Sequence, residues 1–98
     1  MAESHEPLSV RAAILVAGRV QGVGYRAFAR RAAFERGLCG TVKNRDDGRV
    51  ELDVEGSRDQ IESLIVELKK GPPASRVTTV EVEWGTAVGR FTDFRIAY

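Results

Sequence analysis

The chain has 98 residues, 43% of them hydrophobic and 30% charged, with a formal net charge of +1. That is one domain of an ordinary soluble protein, because half of it would be too short to bury a core and no apolar run approaches the roughly 18 residues of a membrane span. Cys39 is the only cysteine and His5, in a polar acidic leader, the only histidine, which excludes internal disulfides, Ser/His or Cys/His catalysis and the usual Cys/His metal sites.

Residues 1–10 are expected to form a flexible leader and residues 11–98 a single domain. The leader has neither the basic region nor the apolar stretch of a secretory signal, so the expected compartment is the cytoplasm. Charge is unevenly spread: residues 11–45 carry +7 and the remainder after them −4. Arginine outnumbers lysine twelve to three, which suits an anionic ligand because guanidinium forks match phosphate and carboxylate geometry.

In chain order, Arg11 to Ala17 places apolar or small residues on both faces and reads as a central strand covered on both sides. After a glycine-bearing stretch, Tyr25, Phe28, Ala29 and Ala32 recur at helical spacing up to Arg36, and Gly37 supplies the stop. Leu38 to Asn44 and Arg49 to Glu55 read as strands joined by the turn residues Arg45-Asp46-Asp47-Gly48, hence an antiparallel hairpin. In the second of these Val50, Leu52 and Val54 alternate with Glu51, Asp53 and Glu55, predicting one buried face and one wet face. Ser57 and Gln60 make a capping box for a helix whose Ile61, Leu64, Ile65 and Leu68 form an apolar stripe, ended by Gly71-Pro72-Pro73. Val80, Val82 and Trp84 then alternate with acids in a fourth strand, and Phe94, Ile96 and Tyr98 alternate in a short fifth. Two helices and a sheet with one polar face make an α+β, two-layer sandwich of ferredoxin-like type, in βαββαβ order with an additional short C-terminal strand.

The distinctive segment is Gly18-Arg19-Val20-Gln21-Gly22-Val23-Gly24-Tyr25-Arg26, between the first strand and the first helix. Its glycines allow successive backbone N–H groups to converge at a helix N-terminus, and Arg26 adds a full positive charge to that anion cradle. No Gly-Lys-Ser/Thr follows, so it is not a Walker loop. Gly22-x-Gly24-x-x-Ala27 matches a dinucleotide fingerprint, but the antiparallel hairpin downstream is foreign to a Rossmann unit. Cys39 and Arg45 have the Cys-x5-Arg spacing of a phosphatase loop, yet Thr41-Val42 between them is strand-like, and Cys39 reads as a small buried residue. Asn44, just before the hairpin turn, reads from its position as an Asx-turn residue.

The nine-residue segment, followed by Gly40-Thr41-Val42-Lys43-Asn44, Gly48-x-Val50-Glu51, Gly71-Pro72-Pro73-Ala74 and Phe94-x-Ile96-x-Tyr98, resembles the acylphosphatase family in order over nearly the whole chain. The resemblance implies a ferredoxin-like fold and hydrolysis of small acyl phosphates to carboxylate and inorganic phosphate, without metal or cofactor. It also implies that the loop residues Gln21, Gly22, Val23, Gly24, Tyr25 and Arg26 bind the phosphoryl group, with Arg26 and Asn44 catalytic and Asn44 positioning the attacking water. Inorganic phosphate is then the product and a competitive ligand, and a monomer with no nucleic-acid or membrane partner is expected. Thr41 departs from the tryptophan many members have, and Tyr25 from the commonest phenylalanine, both matters of packing. The alternative is a non-catalytic acylphosphatase-like module that binds an anion or RNA or serves a regulatory or maturation role. Against the RNA form, Arg49 to Glu55 offers no aromatic for base stacking and carries three acids.

Overall fold

The computed structural model describes residues 9–98. Five strands and two helices follow in the order β1 (Val10–Arg19), α1 (Tyr25–Glu35), β2 (Cys39–Asn44), β3 (Val50–Gly56), α2 (Arg58–Lys70), β4 (Arg76–Thr86) and β5 (Phe94–Ala97). Residues 1–8 of the expected leader, His5 among them, fall outside the described residues, and Val10 already belongs to β1. No helix among the described residues is long and apolar enough to cross a membrane.

The sheet order is β4-β1-β3-β2-β5. The first four strands form the antiparallel ferredoxin-like sheet, and β5 is added parallel to β2 at the far edge, pairing Gly40 with Phe94 and Val42 with Ile96. Helix α1 packs over β2 and β5, and α2 over β4 and β3. Between helices and sheet lies one core: Ala12, Ile14 and Val16 of β1, Val50, Leu52 and Val54 of β3, Val42, Phe94, and the helix residues Tyr25, Ala29, Ala32, Ala33, Ile61, Leu64 and Leu68. Each large aliphatic side chain there contributes about 1.5–3 kcal/mol of hydrophobic stabilisation. In α1 the buried set is Tyr25, Ala29, Ala32 and Ala33, and Phe28 lies half-buried at its edge.

Local chemistry explains the helix ends. Ser57 caps α2, its Oγ accepting from the Gln60 N–H at 3.2 Å, as the capping-box pattern predicts. At the other end Pro72 has no N–H to offer the carbonyl of Leu68, which sits where the helical ladder would call for one. The Tyr25 hydroxyl takes that place and donates to Leu68 O at 2.8 Å. The tyrosine at this position thus ties the start of α1 to the end of α2.

Four expectations need correction. Strand β1 is central in the hydrogen-bonded order but is covered on one face alone: Ala13, Leu15 and Ala17 are half-exposed on the side away from the helices. Being small or flanked by charges such as Arg11, Glu81 and Glu83, they need no third layer. Glu55 is 6% exposed, not wet. The crossover from β4 to β5 passes over it, and its carboxylate accepts from the N–H groups of Val88 and Gly89, both at 3.1 Å. Tyr98 lies beyond β5 and is exposed, because the pairing of β5 with β2 ends at Ala97 opposite Lys43. Cys39 is half-buried at the start of β2, not enclosed.

Candidate functional site

The loop between β1 and α1 gets its shape from glycines used in two ways. Gly18 sits at a bulge in β1, where a Cβ would lie 2.1 Å from the carbonyl oxygen of Arg76, so the close approach of β4 demands that no side chain be present. Gly22 and Gly24 have φ of 74° and 80°, the left-handed region, with open space around them. Left-handed residues within such a turn bring successive N–H groups to one side and build an anion-receiving concavity.

Gly24 is also the N-cap of α1 and has no side chain to cap it. The first bond of the helix runs from the Phe28 N–H to Gly24 O at 3.1 Å, so the N–H groups of Tyr25, Arg26 and Ala27 have no intrahelical acceptor. These donors and the positive end of the helix dipole face the loop, and the first turn contains no acid to neutralise them.

The Arg26 side chain lies beside β5. Its guanidinium carbon is 4.7 Å from the centre of the Tyr98 ring, and Nη1 makes a long 3.5 Å hydrogen bond to Ala97 O. Both partners are neutral, and among the described residues no carboxylate pairs with Arg26, so its positive charge is uncompensated. One turn later Arg30 Nε donates to Phe94 O at 3.1 Å, which fixes α1 against β5.

Asn44 closes β2, paired with Val50. Its Oδ1 is buried and has no hydrogen-bond partner. A buried acceptor left alone costs about 1–3 kcal/mol, so one that persists calls for a reason. Asn44 lines a cavity of about 240 Å³ together with Gly22, Gly24, Arg26, Ala27 and Tyr98. The unpartnered oxygen therefore belongs to a residue that lines this space together with the loop.

Of the residues singled out in the sequence, Gly22, Gly24, Tyr25, Arg26 and Asn44 all line this cavity. Tyr25 does so with its backbone end, since its ring is buried and its hydroxyl points to α2; burial pushes that phenol well above its ordinary pKa. Val23 packs against the core, and Gln21 turns its side chain to the hairpin, donating from Nε2 to Arg45 O and Arg49 O. Val20, Ala27, Ile96 and Tyr98 complete the lining and were not assigned to the site from sequence. The last two come from the opposite end of the chain, and no local pattern signals that β5 docks beside β2. Cys39 and Arg45 stand at opposite ends of extended β2, which at about 3.3 Å per residue separates them by about 20 Å and rules out a shared loop.

The Acylphosphatase family model matches residues 12–96. An acylphosphatase of Methylococcus capsulatus is 49% identical over 86 residues, which cover 88% of this chain and 94% of the relative. One from Koribacter versatilis is 55% identical over 82 residues, covering 84% of this chain and 74% of the relative. The crystal structure of acylphosphatase from Bacillus subtilis matches with a TM-score of 0.88 at 43% identity, covering 91% of this chain and 99% of that one. With glycine loop, arginine and asparagine gathered on one cavity and a family model matching residues 12–96, the chain belongs to the acylphosphatase family.

Proposed function

We propose that the chain hydrolyses the carboxyl-phosphate bond of small acyl phosphates by direct attack of water. The observation that carries this is the gathering of Gly22, Gly24, Arg26 and Asn44 around one cavity, with the Asn44 Oδ1 buried and unpartnered. An acyl phosphate is a mixed anhydride whose carboxylate already leaves well, so positioning and charge stabilisation are the main demands on the protein. The loop N–H groups and the Arg26 guanidinium bind the equatorial phosphoryl oxygens and stabilise them as charge redistributes in the transition state.

Asn44 cannot act as a base at neutral pH, but its Oδ1 accepts a hydrogen bond from a water and holds it in line. The water oxygen forms the new bond to phosphorus as the bridging P–O bond breaks. The carboxylate departs with that electron pair, and the proton of the water passes to a phosphoryl oxygen. No cofactor is required by this scheme, inorganic phosphate is the product and a competing ligand, and a cytoplasmic monomer remains our expectation. The non-catalytic alternative is less well supported, because both Arg26 and Asn44 are retained on one cavity. An RNA-binding form is further disfavoured by Glu51 and Asp53 on the sheet face away from the helices.

Two variants assayed with a small aryl acyl phosphate test the scheme. Arg26→Ala should weaken phosphate binding and turnover together, by about 2–5 kcal/mol, the usual cost of losing one partner of a desolvated charge pair. Asn44→Ala should bind phosphate almost as the parent chain does while turnover collapses. Calorimetric phosphate titration beside steady-state kinetics separates the two, and near-normal turnover of Asn44→Ala would return Asn44 to the status of a turn residue.

A further inference from the structure

Among the described residues no side-chain hydrogen bond holds Asn44 in register with the loop: Oδ1 has no partner there, and the residue is fixed through its backbone at the end of β2. The loop that shares its cavity is built on two left-handed glycines, the most pliable residues available. One side chain spans the gap between these two halves. The Gln21 carboxamide donates from Nε2 to Arg45 O at 2.8 Å and to Arg49 O at 2.9 Å, the two carbonyls at the mouth of the β2–β3 turn. Arg45 directly follows Asn44, and Gln21 directly precedes Gly22. The turn is itself closed by the Arg45 N–H bonding to Arg49 O at 2.8 Å, so the amide grips both stems of a formed hairpin.

We infer that Gln21 is a positioning residue for the hydrolysis: its amide sets the distance between the phosphate loop and the water held by Asn44. The inference rests on the roles given above to the loop and to Asn44. In-line attack requires the reacting atoms within about 3–3.5 Å of each other, and a displacement of about 1 Å costs on the order of 100-fold in rate. The Gln21 clamp is the direct side-chain tie between the two groups that must meet that tolerance.

The test uses Gln21→Met, which keeps side-chain volume and removes both donors, and Gln21→Lys, which keeps donors that reach the same carbonyls. Each is assayed at a temperature where circular dichroism shows it folded. Gln21→Met should lose kcat by about 100-fold while its affinity for inorganic phosphate stays within about twofold, since the cradle itself is untouched. Gln21→Lys should recover a substantial part of that loss; if it folds when Gln21→Met does not, its own kcat and phosphate affinity decide, near-normal values of both supporting the clamp and a collapse of kcat despite the donors refuting it. Because Gln21 acts through Asn44, the double variant with Asn44→Ala should be no slower than Asn44→Ala alone. An unchanged kcat in Gln21→Met, a parallel loss of kcat and phosphate affinity, or additive losses in the double variant would each overturn the inference. If Asn44→Ala itself retains turnover, the Asn44 role falls and the clamp's function falls with it. A collapse in Asn44→Ala beside normal turnover in Gln21→Met removes the Gln21 role alone.

Discussion

Replacing Tyr25 by phenylalanine removes one oxygen from a ring that is 1% exposed. The ring stays in the core, so no cavity larger than the hydroxyl is made, and the loss is confined to the bond from that hydroxyl to Leu68 O at 2.8 Å. Leu68 O then loses its side-chain donor, and the residue four positions on, Pro72, has no N–H to replace it. A buried carbonyl deprived of its donor costs about 1–3 kcal/mol. For a domain of this size each kcal/mol moves the melting temperature by about 4–8 °C, so Tyr25→Phe should melt at least about 4 °C lower. The same group gives a second readout. Burial raises the phenol pKa, which means the folded state holds the proton more tightly than the unfolded chain. That contribution is complete below the unfolded tyrosine value of about 10 and is lost as pH rises beyond it through the raised folded value. The deficit of Tyr25→Phe should therefore shrink above about pH 10 as the parent chain loses stability that the variant does not have. Thermal melts by circular dichroism from neutral to alkaline pH measure both effects. A drop under about 2 °C at neutral pH would show that water reaches Leu68 O, and that the interior between the two helices is open.

Inorganic phosphate should raise the melting temperature through linkage and compete with substrate, whereas salts of equal ionic strength without a tetrahedral oxyanion should do less. Activity should survive a chelator, and Cys39→Ser should turn over normally; loss of activity in a folded Cys39→Ser protein would contradict the water-attack scheme. Gly40→Ala would place a Cβ 1.9 Å from Asp53 O and should cost about 3 kcal/mol or more in urea melts, while Gly24→Ala, with nothing within 4 Å, should cost only the left-handed strain of about 1–2 kcal/mol. Hydrogen bonds from the Arg49 side chain and backbone hold the Asp47 carboxyl below the usual carboxylate range, with Arg45 adding to the effect. Support for the hairpin turn is thus present above the unfolded value of about 4 and lost as pH falls through the lower folded one, which a reduced protection of the Arg49 amide, relative to its intrinsic exchange rate at each pH, should report.

Local periodicity carried most of the fold. The strict alternation of Val50, Leu52 and Val54, the helical stripe of Ile61, Leu64 and Leu68, and the cap at Ser57 each encode their element within a few residues, and each forms as read. The site loop was legible for the same reason, because glycines at 22 and 24 announce left-handed backbone before a helix. What escaped was set by distant chain. Alternation assigns Glu55 to the wet face, and only the arrival of Val88 and Gly89 buries it and satisfies it. The parallel docking of β5 on β2, and with it the contact of Tyr98 with Arg26, depends on a crossover that no short-range pattern specifies. Gln21 was legible as a loop residue but not as a clamp, since its acceptors lie on a turn more than twenty positions away.

The central place of β1 between β4 and β3 also bears on how the molecule assembles. The β2–β3 hairpin closes over four or five residues and can form early, but β1 meets β4 through pairs such as Val10 with Thr86, drawn from nearly opposite ends of the chain. Closing so long a loop loses chain entropy before any contact repays it, which slows folding of sheets with this connectivity. The single tryptophan, Trp84, lies on β4 opposite Ala12 and under the Arg58 guanidinium, 4.2 Å from its ring centre. Its fluorescence should therefore change as β4 docks on β1, so stopped-flow refolding can time that long-range pairing without any label.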